Sequence, residues 1–344
     1  MTEPLVSDPL VSDPIRWGIL GTGSIAHKFA QGLEALTDAQ LQAVGSRSLE
    51  TAEAFGAEFS VPNRHASYDA LVADGEVDVI YVATPHTSHC ENTIRCLVAG
   101  KPVLCEKPFA LNAGQAELMI NTASDRGLFL MEAMWTRFVP ALVKAREWLD
   151  SGAIGPVRAV FADMGFRARF DPDSRLFNPD LGGGALLDVG VYPVSFASMV
   201  LGAQPVEVRA VAHLCGTGVD EDCGVILQYE SGALATAHCS VGAQTPVEAR
   251  IIGEDGWIHV HAPFYAATAA TLRHSDGKEE HAQLPLTGNG YNYQAAAVMD
   301  CLRAGQLQSP VMPLDESLAI MQLLDRVRAQ IGLVYPGEEP AGAE

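Results

Sequence analysis

The chain has few basic residues. Its 344 residues include 22 Lys and Arg against 42 Asp and Glu, a formal net charge of −20 at pH 7. Such a charge repels a phosphate backbone or an anionic membrane surface, so we expect neither nucleic acid nor a membrane as a partner. Any phosphate-bearing ligand would need a local site of its own.

Three further features are missing. No apolar run approaches 18 residues, which argues against a transmembrane helix. The first residues, MTEPLVSDP, lack the basic and apolar segments of an export signal, and we therefore expect a cytoplasmic protein. The seven cysteines lack the paired CxxC spacing, which indicates buried free thiols rather than a disulfide framework.

The length and the 48% hydrophobic content predict two domains with their own cores. Residues 1–14 repeat Leu-Val-Ser-Asp-Pro and are interpreted as a disordered leader. Residues 15–138 alternate strands with helices, which is typical of α/β folds with a doubly wound parallel sheet. Residues 139–335 contain short strands separated by turns, which favours an α+β domain with an open, largely antiparallel sheet. Its final helices are expected to pack back on the first domain, with residues 336–344 as a frayed tail.

A glycine-rich turn follows the first predicted strand. It consists of Gly21, Thr22, Gly23, Ser24, Ile25 and Ala26. In this G-x-G-x-x-A pattern the first glycine permits a tight turn, and the second lets the backbone approach a pyrophosphate at the helix N-terminus. The pattern predicts dinucleotide binding, and the alternative is an ordinary glycine-rich turn.

The end of the second strand bears on the choice of dinucleotide. Ser46, Arg47 and Ser48 stand where an NAD enzyme usually offers a carboxylate to the ribose 2′-hydroxyl. A guanidinium between hydroxyls suits a 2′-phosphate, so we expect NADP(H) as the cofactor. Alternatively, Arg47 is a solvated surface residue and Glu50 or another group sets the preference.

Polar residues also follow the third long strand. Thr84, Pro85 and His86 are expected beside the cofactor, because ligands of open α/β sheets bind at the carboxyl ends of the strands. His86, His89 and Cys90 have a spacing that could place them on one helix face. No second Cys/His pair lies near them in sequence, so we expect no metal.

Two distant segments combine into a proton-transfer site. Glu106-Lys107-Pro108 ends a strand at the ligand edge, and residues 182–192 place Asp188 and Tyr192 four positions apart. A tyrosine has a pKa near 10 and needs a nearby cation to act as a base, which Lys107 could supply. The alternative is that Asp188 caps a helix and Tyr192 merely packs. Pro193 leaves open whether the two share a helix face.

Three motifs together resemble the Gfo/Idh/MocA oxidoreductase family. They are EKP at 106–108, MEAMWTRF at 131–138 and GGGALLDVGVYP at 182–193. The chain is most similar to the branch that contains trans-dihydrodiol dehydrogenases and NADP-dependent D-xylose dehydrogenases. The resemblance implies an N-terminal Rossmann domain, and dimerisation through the open sheet of the second domain.

The resemblance also implies roles for individual residues. Lys107, Asp188 and Tyr192 match the family's catalytic positions, while Trp135 and Tyr291 become candidates for the substrate pocket. Arg167 and Phe177 are further candidates for that pocket, and Glu106 is a candidate on the cofactor side.

The resulting hypothesis is an NADP(H)-dependent oxidoreductase. It would move a hydride between nicotinamide and a secondary alcohol or ketone of a sugar or cyclic diol. The alternative is a catalytically silent NADP-binding sensor on the same fold, since fold alone does not establish activity.

Overall fold

The computed structural model describes residues 13–202 and 204–338. Most of the predicted leader, residues 1–12, lies outside the described residues. The first domain contains a six-stranded sheet in the order β3-β2-β1-β4-β5-β6, and every neighbouring pair is parallel. Its strands are β1 (Ile15–Leu20), β2 (Ala39–Gly45), β3 (Asn63–His65), β4 (Val79–Val82), β5 (Val103–Glu106) and β6 (Leu130–Ala133). This order confirms the predicted doubly wound sheet.

Helices connect these strands. They are α1 (Ser24–Leu33), α2 (Leu49–Glu58), α3 (Tyr68–Val72), α4 (His89–Val98) and α5 (Ala113–Arg126). Side chains of Ser48, Ser67 and Asn112 cap α2, α3 and α5 by accepting a backbone N–H from the first turn. Helix α1 has no side-chain cap and no acidic residue in its first turn. Its N-terminus therefore keeps backbone N–H groups for another acceptor.

The second domain contains an eight-stranded sheet in the order β14-β13-β12-β11-β7-β10-β9-β8. Its strands are β7 (Val157–Gly165), β8 (Glu207–Leu214), β9 (Asp220–Gln228), β10 (Leu234–Ser240), β11 (Ala249–Gly253), β12 (Gly256–Val260), β13 (Ala269–His274) and β14 (Glu279–Gln283). All neighbouring pairs are antiparallel except β7 and β10, which run parallel. The sheet is therefore largely antiparallel, as predicted.

Four longer helices complete the protein: α6 (Pro140–Asp150), α7 (Val191–Leu201), α8 (Tyr291–Arg303) and α9 (Leu314–Ile331). Helix α7 packs against β7 and β10 on the inner face of the second sheet. Helix α8 packs on α1, and α9 packs on α5 and β6. The C-terminal helices thus join the two domains.

The chain reaches α7 through a wide helical turn. Leu186–Gly190 form a π-helical turn, and α7 begins directly after it, with Pro193 as its third residue. Proline has no N–H to donate, yet α7 continues past Pro193 to Leu201. Pro193 therefore does not end the helix, and the change of pitch falls between Asp188 and Tyr192.

Among the described residues, one helical segment is long and apolar enough to span a membrane by length and composition. It covers the 23 residues Pro179–Leu201. It contains two charged residues, Asp180 and Asp188. Within its most apolar 18 residues, 83% are buried inside the protein, as expected for a core helix.

The C-terminal segment is tied to both domains. The Tyr335 hydroxyl donates to the Gly183 carbonyl oxygen at 2.6 Å. The Glu338 carboxylate accepts from the Asn112 side chain at 2.7 Å and from Arg328 at 2.6 Å. The prediction of a frayed tail from residue 336 is therefore wrong for residues 336–338, while 339–344 lie outside the described residues.

The outer face of the second sheet is partly apolar. Phe161, Ile226 and Leu234, from β7, β9 and β10, are about half exposed there. This is the open sheet through which the family resemblance predicts dimerisation, and the homodimer stays a prediction.

Candidate active site

A cavity of about 650 Å³ lies between the carboxyl edge of the first sheet and the inner face of the second. The first domain contributes the start of α1, the end of β4 and the end of β5. The second contributes the π-helical turn, Tyr192 and aromatic side chains. The following residues predicted from the sequence line this cavity: Gly23, Ser24, Ile25, Thr84, Pro85, His86, Glu106, Lys107, Trp135, Asp188, Tyr192 and Tyr291.

The glycine turn has the geometry that its sequence requires. Gly21 has φ +104°, and a Cβ atom there would lie 2.9 Å from the carbonyl oxygen of Ala83. A Cβ atom on Gly23 would meet nothing within 4 Å. A tight turn therefore needs Gly21, while Gly23 leaves open space beside the uncapped N-terminus of α1.

The end of β2 carries the predicted hydroxyl and guanidinium groups. Ser46 is buried and its hydroxyl lies 2.5 Å from that of Thr51 and 3.5 Å from that of Thr22. Ser48 caps α2, and the Arg47 side chain is exposed. The hydroxyls thus join the glycine turn to the strand end where Arg47 projects.

Lys107 and Asp188 meet in the cavity. The Lys107 Nζ donates to the Asp188 backbone oxygen at 2.7 Å and lies 3.3 Å from its Oδ1. Arg175 approaches the same carboxylate, with Nη1–Oδ1 at 2.8 Å and Nη2–Oδ2 at 3.2 Å. Burial opposes ionisation of Asp188, but the two cations outweigh it and hold its pKa below the usual range.

Tyr192 is buried beside this ion cluster. Its hydroxyl accepts a hydrogen bond from Trp135 Nε1 at 3.1 Å, and Lys107 Nζ lies 5.0 Å from the centre of its ring. No hydrogen bond links it to Asp188 within the described residues. Burial, together with the Glu106 and Asp188 carboxylates, raises the pKa of Tyr192 well above 10. The net shift of the Tyr192 pKa is therefore opposite to the lowering that a nearby cation was expected to produce.

Glu106 is a second buried acid in the cavity. It accepts hydrogen bonds from the Tyr81 hydroxyl and, at 3.2 Å, from the Lys107 backbone N–H. Burial raises the pKa of Glu106 to about 7. The carboxyl group of this residue, adjacent to Lys107 in sequence, therefore titrates near neutral pH.

The two histidines form part of the cavity wall. His86 Nδ1 lies 3.1 Å from the Gly182 carbonyl oxygen, and its Nε2 lies 3.9 Å from Asp188 Oδ1. Burial lowers the pKa of His86 to about 3, so the ring is neutral. Both nitrogens of His89 face carbonyl oxygens, those of Pro108 at 2.8 Å and Thr84 at 2.9 Å.

These contacts bear on the rejected zinc hypothesis. With both nitrogens of His89 directed at carbonyl oxygens, the trio with Cys90 lacks a ligand geometry. The described residues contain one compact group of metal-ligand types elsewhere, buried beneath the π-helical turn: Asp220, Cys223 and Cys239.

One wall of the cavity is aromatic. Trp135 stacks on Tyr291, with ring centres 4.4 Å apart and planes at 19°, and Tyr265 meets Trp135 edge-on at 5.9 Å. Phe166 and Met164 continue this wall. Lys107 and Asp188 line the same cavity with polar groups.

Two predicted substrate residues are not brought to this cavity. Arg167 lines a separate cavity with Arg169, Phe170 and Glu221. Phe177 is fully buried and packs edge-on against Phe170 at 5.0 Å. They belong to the same irregular segment as Arg175, but they point elsewhere.

The sequence analysis missed Arg175 and Tyr265, both in the cavity. Arg175 lies in a stretch without helical or strand periodicity, and its one local signal is the nearby glycine run at 182–184. Tyr265 lies in a short 3₁₀ turn, Phe264–Ala266, which no motif marks.

Comparisons with known proteins agree with this arrangement. Residues 15–134 match the oxidoreductase family with an NAD-binding Rossmann fold, and residues 142–259 match the GFO/IDH/MocA C-terminal domain. The matches cover the two domains that enclose the cavity.

Similar proteins are oxidoreductases. The trans-1,2-dihydrobenzene-1,2-diol dehydrogenase of Mus musculus is 38% identical over 94% of this chain and 99% of its own length. The 3-ketoreductase KijD10 of Actinomadura kijaniata, solved with NADP and TDP-benzene, is 29% identical with a TM-score of 0.82, covering 93% of this chain and 98% of its own. The aldose-aldose oxidoreductase of Caulobacter crescentus, complexed with glycerol, is 26% identical with a TM-score of 0.84, covering 92% and 97%.

Proposed function

Because this chain belongs to the Gfo/Idh/MocA family of nicotinamide-dependent oxidoreductases, we propose that it transfers a hydride between NADP(H) and a secondary alcohol or ketone of a sugar or cyclic diol. One observation carries the proposal. Lys107, Asp188 and Tyr192, which come from two domains, converge in the cavity that also contains the N-terminus of α1.

Tyr192 is the proton-transfer group in this proposal. With its pKa raised by burial, Tyr192 is a phenol at neutral pH and can donate its proton to a carbonyl oxygen during reduction. In the oxidative direction its phenolate accepts the hydroxyl proton. Lys107 stabilises that phenolate electrostatically, and Trp135 orients the hydroxyl through its N–H.

The residues around α1 suit a dinucleotide. The first N–H groups of the helix have no side-chain cap, no acid lies in its first turn, and Gly23 leaves room for close approach. A pyrophosphate would be bound there by the backbone N–H groups and the positive end of the helix. When bound, the nicotinamide supplies or accepts the hydride.

Arg47 is proposed to set the preference for NADP. Replacing it with alanine should lower the ratio of kcat/KM for NADP⁺ over NAD⁺ by about 10- to 100-fold, because a charged hydrogen bond to phosphate contributes roughly 1.5–3 kcal/mol. Steady-state kinetics with both cofactors measures the ratio. Arg126→Ala, another exposed arginine of the first domain, is the matched control and should keep it. An unchanged ratio in Arg47→Ala would clear Arg47 of this role.

The two walls of the cavity favour a ring-shaped substrate. The stacked Trp135 and Tyr291 form an apolar platform, which suits the C–H face of a sugar or the ring of a cyclic diol. Lys107 and Asp188, which line the same cavity, offer donors and acceptors for the hydroxyl groups. Both substrate classes of the hypothesis meet these requirements.

Turnover decides between the classes. Purified protein should reduce NADP⁺ to NADPH with at least one of four substrate groups: D-xylose, D-glucose, anhydro-sugars or trans-dihydrodiols. The absorbance of NADPH measures the turnover. A preference for the dihydrodiols would identify the diol class and a preference for aldoses the sugar class. If the protein binds NADPH yet turns over none of them in either direction, the proposal fails and the silent sensor is favoured.

A further inference from the structure

Arg175 holds the Asp188 carboxylate from the mouth of the cavity. Its two terminal nitrogens each meet a different oxygen of Asp188, at 2.8 and 3.2 Å. The Asp188 side chain is 7% exposed and that of Arg175 is 47% exposed. The guanidinium therefore reaches inward from a partly solvated position to a buried anion, in the planar geometry that suits a carboxylate.

The backbone near Arg175 is hydrogen-bonded to a different glycine run, residues 182–184, which leads to Asp188. The Gly183 N–H donates to the Asn178 carbonyl oxygen at 3.0 Å, and the Gly184 N–H donates to that of Leu176 at 2.9 Å. A Cβ atom on Gly183 would lie 2.9–3.0 Å from the carbonyl oxygens of Asn178, Leu176 and Arg175. The two ends of the ion pair are thus built on backbones in direct contact.

The ion pair changes the charge balance beside Tyr192. Lys107 and Asp188 alone would form a neutral pair, with the ammonium charge largely engaged by its own carboxylate. Arg175 adds a second cation to the same anion and leaves the cluster with a net positive charge. Burial opposes the Arg175 charge, but the nearby Asp188, Tyr192 and Glu106 outweigh it and raise the pKa of Arg175. The guanidinium therefore acts within electrostatic range of the phenol.

We propose that Arg175 is a positioning residue: by gripping Asp188 it keeps the Lys107 charge available to the Tyr192 oxygen when that oxygen is ionised. The inference rests on the proposed function, because it assigns Arg175 a part in the same proton transfer. Arg175 acts through Asp188 and Lys107, and it exchanges no proton itself.

The pH dependence of oxidation is the readout. The titratable or charged groups around Tyr192 are Glu106, Lys107, Asp188, Arg175, Tyr81, Tyr265 and Tyr291, with His86 next to Asp188. Glu106, with its pKa of about 7, titrates well below the pH range in which Tyr192 ionises. The ionisation of Tyr192 belongs to the alkaline limb, where kcat/KM for oxidation rises as phenolate forms.

The experiment compares Arg175→Gln, Arg175→Lys and wild type. In Arg175→Gln the alkaline limb should move upward by about one pH unit, because Asp188 then engages the Lys107 charge and less of that charge favours the phenolate. Reduction at neutral pH, which uses the phenol, should fall less than oxidation. Arg175→Lys should restore part of the shift. Arg169→Gln, an exposed arginine of the same segment that lines the separate cavity, is the matched control and should match wild type.

Two outcomes overturn the inference. Either Arg175→Gln has the wild-type profile, or it loses kcat uniformly with the limb unmoved, which is what a structural role alone would give. Both require that wild type turns over substrate with an alkaline limb. If wild type itself is inactive across the sugar and diol panel, the proposed function fails first, and the two failures are thereby distinguished.

Discussion

Tyr192→Phe is expected to lower kcat by about 10²- to 10⁴-fold in both directions, the usual contribution of a positioned general acid or base. Phenylalanine keeps the ring that Lys107 faces but removes the hydroxyl that accepts from Trp135 at 3.1 Å. The affinity for NADPH, measured by fluorescence titration, should stay near wild type because the N-terminus of α1 is unchanged.

The pH dependence should change with it. Since the pKa of Tyr192 is raised, the phenolate fraction is small at neutral pH and grows as pH rises. Oxidation by wild type should therefore accelerate into the alkaline range and reduction should slow, whereas residual turnover in Tyr192→Phe should lack both trends. Circular dichroism and thermal unfolding check that the variant is folded.

Tyr229→Phe is the control for Tyr192→Phe. Tyr229 is also buried, and its hydroxyl has no hydrogen-bond partner among the described residues. Its replacement should leave kcat unchanged. If Tyr192→Phe kept more than about half of the wild-type kcat, Tyr192 would not be the proton-transfer group.

Lys107→Met is expected to lower kcat for oxidation by roughly 200-fold. With the distance from Lys107 Nζ to the ring centre taken as the charge separation, the attraction to a phenolate is worth roughly 3 kcal/mol at an effective dielectric constant near 20, and each 1.4 kcal/mol is a factor of ten. Methionine keeps most of the stem but removes the ammonium, which lies 5.0 Å from the Tyr192 ring centre. The alkaline limb should also move upward, by about two pH units.

Two comparisons make this result specific. Lys144→Met removes a partly exposed lysine of α6 that pairs with Glu147 at 3.5 Å, and it should keep wild-type kinetics. NADPH binding to Lys107→Met should persist, which separates loss of chemistry from loss of the cofactor. Near-normal oxidation by Lys107→Met would remove Lys107 from the mechanism.

The parts predicted from sequence were local or carried by a motif. The glycine turn could be predicted because its requirements, the positive φ of Gly21 and the open space beside Gly23, arise within six consecutive residues. The doubly wound sheet followed from the alternation of strands and helices. Lys107, Asp188 and Tyr192 were linked by the need of a tyrosine base for a cation and then by the family motifs, since no spacing relates residue 107 to residue 192.

The parts that failed depend on the tertiary structure. The pKa of Tyr192 rises because the fold buries it beside Glu106, and no pattern in residues 182–192 reveals that. Arg175 was missed because the residues around it show no helical or strand periodicity from which the direction of a side chain could be predicted. The parallel pairing of β7 with β10 joins strands far apart in sequence within an antiparallel sheet, so neighbouring turns do not predict it.

The bond from the Tyr335 hydroxyl to the Gly183 carbonyl oxygen has a consequence for how the protein is made. Tyr335 lies 152 positions after Gly183 and is translated long after it. Domains fold as the ribosome releases them, beginning at the N-terminus. The first sheet can therefore form on a nascent chain in which residues 182–184 have not yet gained the bond from Tyr335. We therefore expect this bond, beside the turn that leads to Asp188, to be among the last contacts to form during synthesis.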